Sequence, residues 1–393
     1  MSAHRRPLAG VDWNFPAANS TYGVHGLHWY PASFIPQIPA YLIELFSQPG
    51  DLVLDPFAGS GASLVEAVRL GRRSVGLDLN PIAVLIAQAK LLLLTDWPWE
   101  AEVEALVKRL EADRLRSEIL AGAVNSDATG LSPGLVEAQK WYHPMTFRQL
   151  RLILQHIEDA PHPARTVFRA AFSSILKKAS GQTEHWGYVA DNMVPSTPEH
   201  RDAFALFIRT LRDVIRVRAE TAPGVVGVLS PAEMEQQAVM IEGNVLSGKL
   251  PAAGTVNLVV TSPPYIGVTD YSRSQRLSMY WLGYDLDTLG REEIGARWKR
   301  FRRSHALDYI EEMQLACCRV VETLRMNGHL AIVVGAPIAR DTAHSVLASL
   351  RDILTALNLK LVDETSRMLS RQRLVDRAGT KNPEIILVYE KCR

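Results

Sequence analysis

Four short apolar runs carry no polar alternation: DLVLD (51–55), RSVGLD (73–78), VNLVV (256–260) and HLAIVV (329–334). A strand with one wet face alternates, so a strand that does not is covered on both faces, as in a parallel sheet flanked by crossover helices. AVMIEG (238–243) reads as a fifth such run, and KLVDE and EIILVYE as a closing pair near the C-terminus. Helical periodicity fills the gaps, with IPAYLIELF before the first run, ASLVEAVRLG after it, IAVLIAQAKLL after the second, and YIEEMQLACCRVVETL before HLAIVV. Such alternation predicts an α/β, doubly wound, mostly parallel sheet of seven strands.

The alternation breaks once, over residues 96–235. There, amphipathic helices from EAEVEALVKRLEADRLRSEIL to FALFIRTLRDVIRVRAE are separated by the loops NSDATGLSPG and KKASGQTEHWGYVADN. This predicts an inserted helical subdomain between two parts of one catalytic domain, 1–95 and 236–393. Lys and Arg total 43 against 42 Asp and Glu, so a polyanionic partner would have to be met by local patches. Three cysteines, two of them adjacent, form neither a disulfide framework nor a zinc spacing, so the sequence implies no metal and fits a reducing cytoplasm. MSAHRRPLAG is followed by no apolar h-region, and IAVLIAQAKLLLL contains Gln and Lys and is too short to span a bilayer, so no membrane association is expected.

The first strand runs into DPFAGSGASLVEA, where Gly59 and Gly61 permit a tight turn and let a ligand approach backbone at a helix N-terminus. Asp78 ends the second strand, seventeen positions after Gly61, close to the spacing at which an acidic residue takes ribose hydroxyls. Asp78 could instead cap the helix that begins at Pro81. The loop lacks the full GxGxxG spacing of a pyrophosphate cradle, which suits an adenosine-bearing ligand without a diphosphate, such as S-adenosylmethionine.

DPFAGSG, GLDLNP and TSPPY (261–265) together resemble the amino-group DNA methyltransferases, which form cytosine-N4 or adenine-N6 products. HGLHWYPASFIPQIPAYLI is similar to that family's N-terminal cofactor motif, and GNVLS sits where its third strand ends near the adenine ring. The resemblance covers about residues 24–100 and 238–391 and implies a methyltransferase sheet and S-adenosylmethionine. It implies that His28, Tyr30 and Phe34 fold over the methionine end, that Asp55, Phe57, Ala58, Gly59 and Gly61 line the methionine and ribose, and that Asp78, Leu79 and Asn80 hold the ribose. Asn244 and Val245 would reach the adenine, and Ser262, Pro263, Pro264 and Tyr265 would form the target-base rim. The chain departs from the family in having Ala62 where Thr is common, and in the position of its long insertion.

An exocyclic amine is a poor nucleophile because its lone pair is delocalised into the ring. Acceptors on its hydrogens would pyramidalise it, and a Pro-Pro turn fixes where such acceptors point. Ser262 Oγ and the Pro263 carbonyl would be those acceptors, with Tyr265 stacking on a base flipped out of duplex DNA. Carbon-5 methylation would need a cysteine in a comparable loop, and Cys317, Cys318 and Cys392 are not so placed.

For DNA phosphates the candidates are Arg297, Lys299, Arg300, Arg302 and Arg303, interleaved with Trp298 and Phe301, and Arg273 and Arg276 just after the turn. The first run could equally be a solvated helix face, and Arg273 and Arg276 could pair with Asp270 and Asp285. The leading expectation is a site-specific DNA cytosine-N4 methyltransferase of a restriction-modification type, with a possible cognate nuclease. Adenine-N6 methylation, guanine-N2 methylation of RNA, glutamine methylation of a release factor, and an inactive binding module are the alternatives.

Overall fold

In the computed structural model the described residues are 8–31, 33, 35–119, 130–181, 198–221, 228–267, 269–296, 298–299, 304–335, 340–368 and 383–392. The strands are β1 (Leu52–Asp55), β2 (Arg73–Asp78), β3 (Ala238–Glu242), β4 (Val256–Thr261), β5 (Leu324–Gly335), β6 (Leu359–Met368) and β7 (Pro383–Lys391). They form one sheet in the order β3-β2-β1-β4-β5-β7-β6. All pairings are parallel except those of β7 with β5 and β6.

The helices before β3 are α1 (Gln37–Phe46), α2 (Ala62–Arg69), α3 (Pro81–Leu92), α4 (Trp99–Ile119), α5 (Pro133–Gln139), α6 (Pro144–Glu158), α7 (Ala164–Ala179), α8 (Ala203–Ala219) and α9 (Pro231–Gln237). After β4 come α10 (Tyr271–Ser274), α11 (Arg276–Leu282), α12 (Leu286–Glu292), α13 (His305–Thr323) and α14 (Arg340–Ala356).

Successive strand residues serve opposite faces, which is why the runs needed no polar member. Val53, Leu258, Val260, Ala331 and Val333 pack with Ile38, Leu42 and Ile43 of α1. Leu54, Val259, Leu330, Ile332 and Val334 pack instead with Met313, Val320 and Val321 of α13 and Leu350 and Leu354 of α14. Each such side chain removed from water contributes about 1.5–3 kcal/mol before entropy is counted.

Helices α4 to α8 occupy the predicted insertion. Their apolar faces share a continuous core with α2 and α3, in which Leu85, Leu92 and Leu94 meet Leu106, Phe168, Phe172 and Phe207. This explains the nearly unbroken apolar sequence of α3: one side meets the sheet and the other meets α7. Among the described residues no helix is long and apolar enough to cross a membrane.

Candidate active site

Strand order reverses direction between β1 and β4, and a crevice opens there beyond the carboxyl ends of the strands, where ligands of open α/β sheets bind. The cleft, with its open mouth, spans about 880 Å³. Its lining brings together five segments of the sequence: Tyr30, Pro31 and Ser33; Phe57, Ala58, Gly59 and Ser60; Asp78, Leu79 and Asn80; Asn244 and Val245; and Ser262 and Pro264.

The glycine loop is held from three sides. Asp55 is buried and accepts from Thr261 Oγ1 at 2.7 Å, from the Phe57 amide at 3.1 Å and from Ser63 Oγ. Lys90 Nζ, also buried, donates to the Ser60 carbonyl at 2.9 Å and to Ser60 Oγ at 3.2 Å. Gly61 takes φ +78° as the residue preceding α2, and a Cβ there would stand 2.6 Å from that of Ala87 on α3. Glycine is thus required both by conformation and by space.

Asp78 joins the two loops. Its Oδ2 accepts from the Gly59 amide and its Oδ1 from the Asn80 amide, each at 2.8 Å. The helix cap belongs to Asn80, whose Oδ1 accepts from the Ile82 amide at 2.9 Å. Burial pushes the Asp78 carboxyl up to about 6, against the pull of its two amides. Burial likewise raises Asp55 to about 6 and lowers the Lys90 ammonium to about 7.

At the rim, Tyr309 donates to the Pro264 carbonyl at 3.0 Å, anchoring the Pro-Pro turn against α13. Ser262 Oγ donates to the Tyr265 hydroxyl at 3.2 Å, and that hydroxyl donates to Glu384 Oε1 at 3.0 Å. Glu384 Oε2 lies 3.4 Å from Arg367 Nε in a buried ion pair. A Cβ at residue 335 would lie 2.4 Å from the Tyr265 ring, so Gly335 gives that ring its seat.

Several expected site residues stand elsewhere. Asp55 does not line the cleft, because its carboxylate is spent on the loop behind it. Gly61 likewise faces α3. His28 turns toward α7, with Nε2 2.9 Å from Ser173 Oγ and Nδ1 2.5 Å from the Trp29 carbonyl, and burial lowers it to about 4, leaving it neutral. Pro263 and Tyr265 stand behind the rim rather than in the lining.

Among the phosphate candidates, Lys299 is buried, with Nζ on the Glu293 carbonyl at 2.6 Å and 3.9 Å from Glu312, so its charge is already committed inside the protein. Arg276 is 8% exposed, too little for a surface contact, and Arg273 is half-buried. Phe34, Arg297, Arg300, Arg302 and Arg303 lie outside the described residues, as do residues 182–192 of the second insertion loop.

Reading the sequence missed the wall made by Tyr271, Leu289, Glu292, Glu293 and Ile294. Tyr271 stacks on Tyr30, ring centroids 6.3 Å apart and planes within 22°, which joins this wall to the N-terminal segment. Its only sequence signal is closeness to TSPPY, since the contact with Tyr30 spans 241 positions by residue number (271 − 30).

The antiparallel β7, inserted between β5 and β6, together with a cleft at the β1–β4 reversal, defines the class as the α/β methyltransferase fold. Residues 6–89 match a family model for N6/N4-type DNA methylases. The chain is 44% identical over 86 residues to the type II methyltransferase M.MjaII of Methanocaldococcus jannaschii, covering 21% of this chain and 16% of that one. It is 26% identical over 298 residues to the type II methyltransferase M.BsoBI of Geobacillus stearothermophilus, covering 68% of this chain and 54% of that one. The chain thus spans about half or less of these relatives' own lengths. A SAM-dependent methyltransferase structure from Methanosarcina mazei aligns over 93% of this chain and 99% of its own, at 10% identity and a TM-score of 0.36.

Proposed function

We propose that this chain transfers a methyl group from S-adenosylmethionine to the exocyclic N4 amine of cytosine in duplex DNA. The observation that carries the reading is that one cleft joins the glycine loop and Asp78 to Ser262 and Pro264 of the Pro-Pro turn. The residues fit an adenosine-bearing cofactor. Gly59, at a φ of +51° that favours glycine, adds no side chain to the floor, and Asp78 offers a carboxylate to ribose hydroxyls. Asn244 and Val245 line the far end, where an adenine would lie. The cofactor, when bound, supplies an electrophilic methyl group.

The rim's task is to ready the amine. Because the Ser262 proton is engaged by Tyr265, the serine lone pairs remain to accept an amine hydrogen. The second acceptor would be a backbone carbonyl of the Pro-Pro turn, which Tyr309 steadies through Pro264. A flipped base would meet the rim at Ser262 and Pro264, with Tyr265 behind them. Burial pushes the Cys317 thiol up to about 12, which weighs against a cysteine-nucleophile route.

The choice of cytosine rests on Ser262, because members of the resembling family with Ser here usually act on cytosine and those with Asp on adenine. The helical segment 96–235 is the proposed target-recognition region, with the cytoplasm as the compartment and a cognate nuclease as partner. Labelled methyl transfer to duplex DNA, tRNA and protein, followed by mass spectrometry of the digested nucleosides, tests the reading. 4-Methylcytosine is expected, 6-methyladenine would overturn the serine assignment, and label in tRNA or protein alone would overturn DNA as the substrate.

A further inference from the structure

The outer wall of the cleft holds a carboxylate that none of the recognised motifs contains. Glu293 follows α12 and is 7% exposed. Its Oε1 accepts from the Ser272 amide at 2.5 Å, while its Oε2, equally buried, has no hydrogen-bond partner. The Ser272 hydroxyl lies near enough to favour the charged form, but is too poorly placed to satisfy Oε2. The carboxylate interacts electrostatically with Asp78, Tyr30 and Tyr271, all of which line the cleft, and with Asp270. Lys299 Nζ donates to the Glu293 backbone carbonyl at 2.6 Å.

The lining is therefore one-signed. It includes the carboxyl groups of Asp78, Glu292 and Glu293 and, among the described residues, no Lys, Arg or His. A buried acceptor without a donor, set beside other acids, destabilises the empty protein. A cationic donor entering the cleft would remove that cost.

We propose that Glu293 is a further cofactor-binding residue, accepting from a donor of the bound nucleoside and, by its charge, favouring the sulfonium cofactor over its uncharged thioether product. This rests on the reading of the cleft as a site for S-adenosylmethionine. The cofactor carries one positive charge more than S-adenosylhomocysteine, so a carboxylate in this wall contributes more to binding the former. Burial pushes Glu293 up to about 7, so a cation that binds its ionised form binds more tightly as pH rises through that value. Asp78, Asp270, Tyr30 and Tyr271, which interact with it, add no positive charge; the neighbouring cation is Lys299, whose Nζ lies 2.6 Å from the Glu293 backbone carbonyl.

Calorimetry on the full chain with S-adenosylmethionine and S-adenosylhomocysteine, for wild type and Glu293→Gln, tests this. The glutamine keeps an oxygen for the Ser272 amide. Affinity for S-adenosylmethionine should fall roughly tenfold or more, affinity for the product should fall less, and the rise of affinity across about pH 6 to 8 should flatten. Without ligand, Glu293→Gln should melt higher than wild type at about pH 8 and converge with it toward about pH 5, because the raised carboxyl lowers native stability as pH climbs between its unfolded and folded values. Unchanged affinity, an equal loss for both ligands, or a lower melting temperature at the higher pH would overturn the proposal. If wild type binds neither ligand, the reading of the cleft falls with it.

Discussion

At the scale of single residues, the site works through chains of hydrogen bonds whose direction is set by the groups at their ends. Glu384, paired with Arg367, has only acceptor oxygens, so the Tyr265 hydroxyl must donate to it and can only accept from Ser262. A carboxylate at one end of β7 thereby keeps a serine at the cleft rim in its acceptor role. Tyr265→Phe would free the serine proton, and transfer should slow roughly tenfold, the equivalent of one ordinary hydrogen bond. Cofactor affinity should stay at the wild-type level, so a stopped-flow single-turnover rate beside a calorimetric titration separates the two; loss of affinity would contradict this assignment. Asp78→Ala tests the other end of the cleft. It leaves the Gly59 and Asn80 amides without their acceptor as well as removing one for ribose, so affinity should fall at least tenfold, about 1.5–3 kcal/mol for each charged hydrogen bond lost. Wild-type affinity in this variant would refute the ribose assignment.

At the scale of elements, the cleft depends on how the N-terminal segment and α2 are fixed. Glu66 of α2, 0% exposed, lies 2.9 Å from His25 Nε2 and 2.9 Å from Arg69 Nε and accepts from the Tyr22 hydroxyl. These contacts pin the segment that carries Tyr30, Pro31 and Ser33 into the cleft. Glu66→Ala leaves the buried His25 ring and the Tyr22 hydroxyl without their acceptor, for which a loss of about 1–3 kcal/mol is expected. A denaturant titration measures it, and a change within the scatter of surface substitutions would show that the cluster does not hold the segment. Gly61→Ala acts where α2 crosses α3: the added carbon must both adopt a left-handed backbone and meet Ala87 at 2.6 Å. Both its melting temperature and its cofactor affinity should fall, since the displaced loop carries Gly59.

At the scale of the whole molecule, the helical segment is joined to the sheet through a shared core, so the helices and the sheet rest on one hydrophobic unit. Excising residues 96–235 would uncover the outer side of α3, including Leu85 and Leu92, and the remainder should show no cooperative melting by circular dichroism. A sharp transition in the excised chain would show that the sheet stands alone. The sequence by itself determined the mostly parallel seven-stranded sheet, because strands and their crossover helices depend on local patterns such as apolar runs and helical periodicity. RSVGLD matches β2 residue for residue. Tertiary structure alone decided which polar groups face the cleft. Asp55 and His28 have the chemistry of site residues but are consumed by Thr261 and Ser173, partners distant in sequence. Glu293 sits in REEIG, a stretch with no distinguishing pattern, yet closes the cleft opposite Asp78. The physical reason is that secondary structure follows from neighbours along the chain, whereas burial, pairing and the shift of an ionisable group follow from neighbours in space.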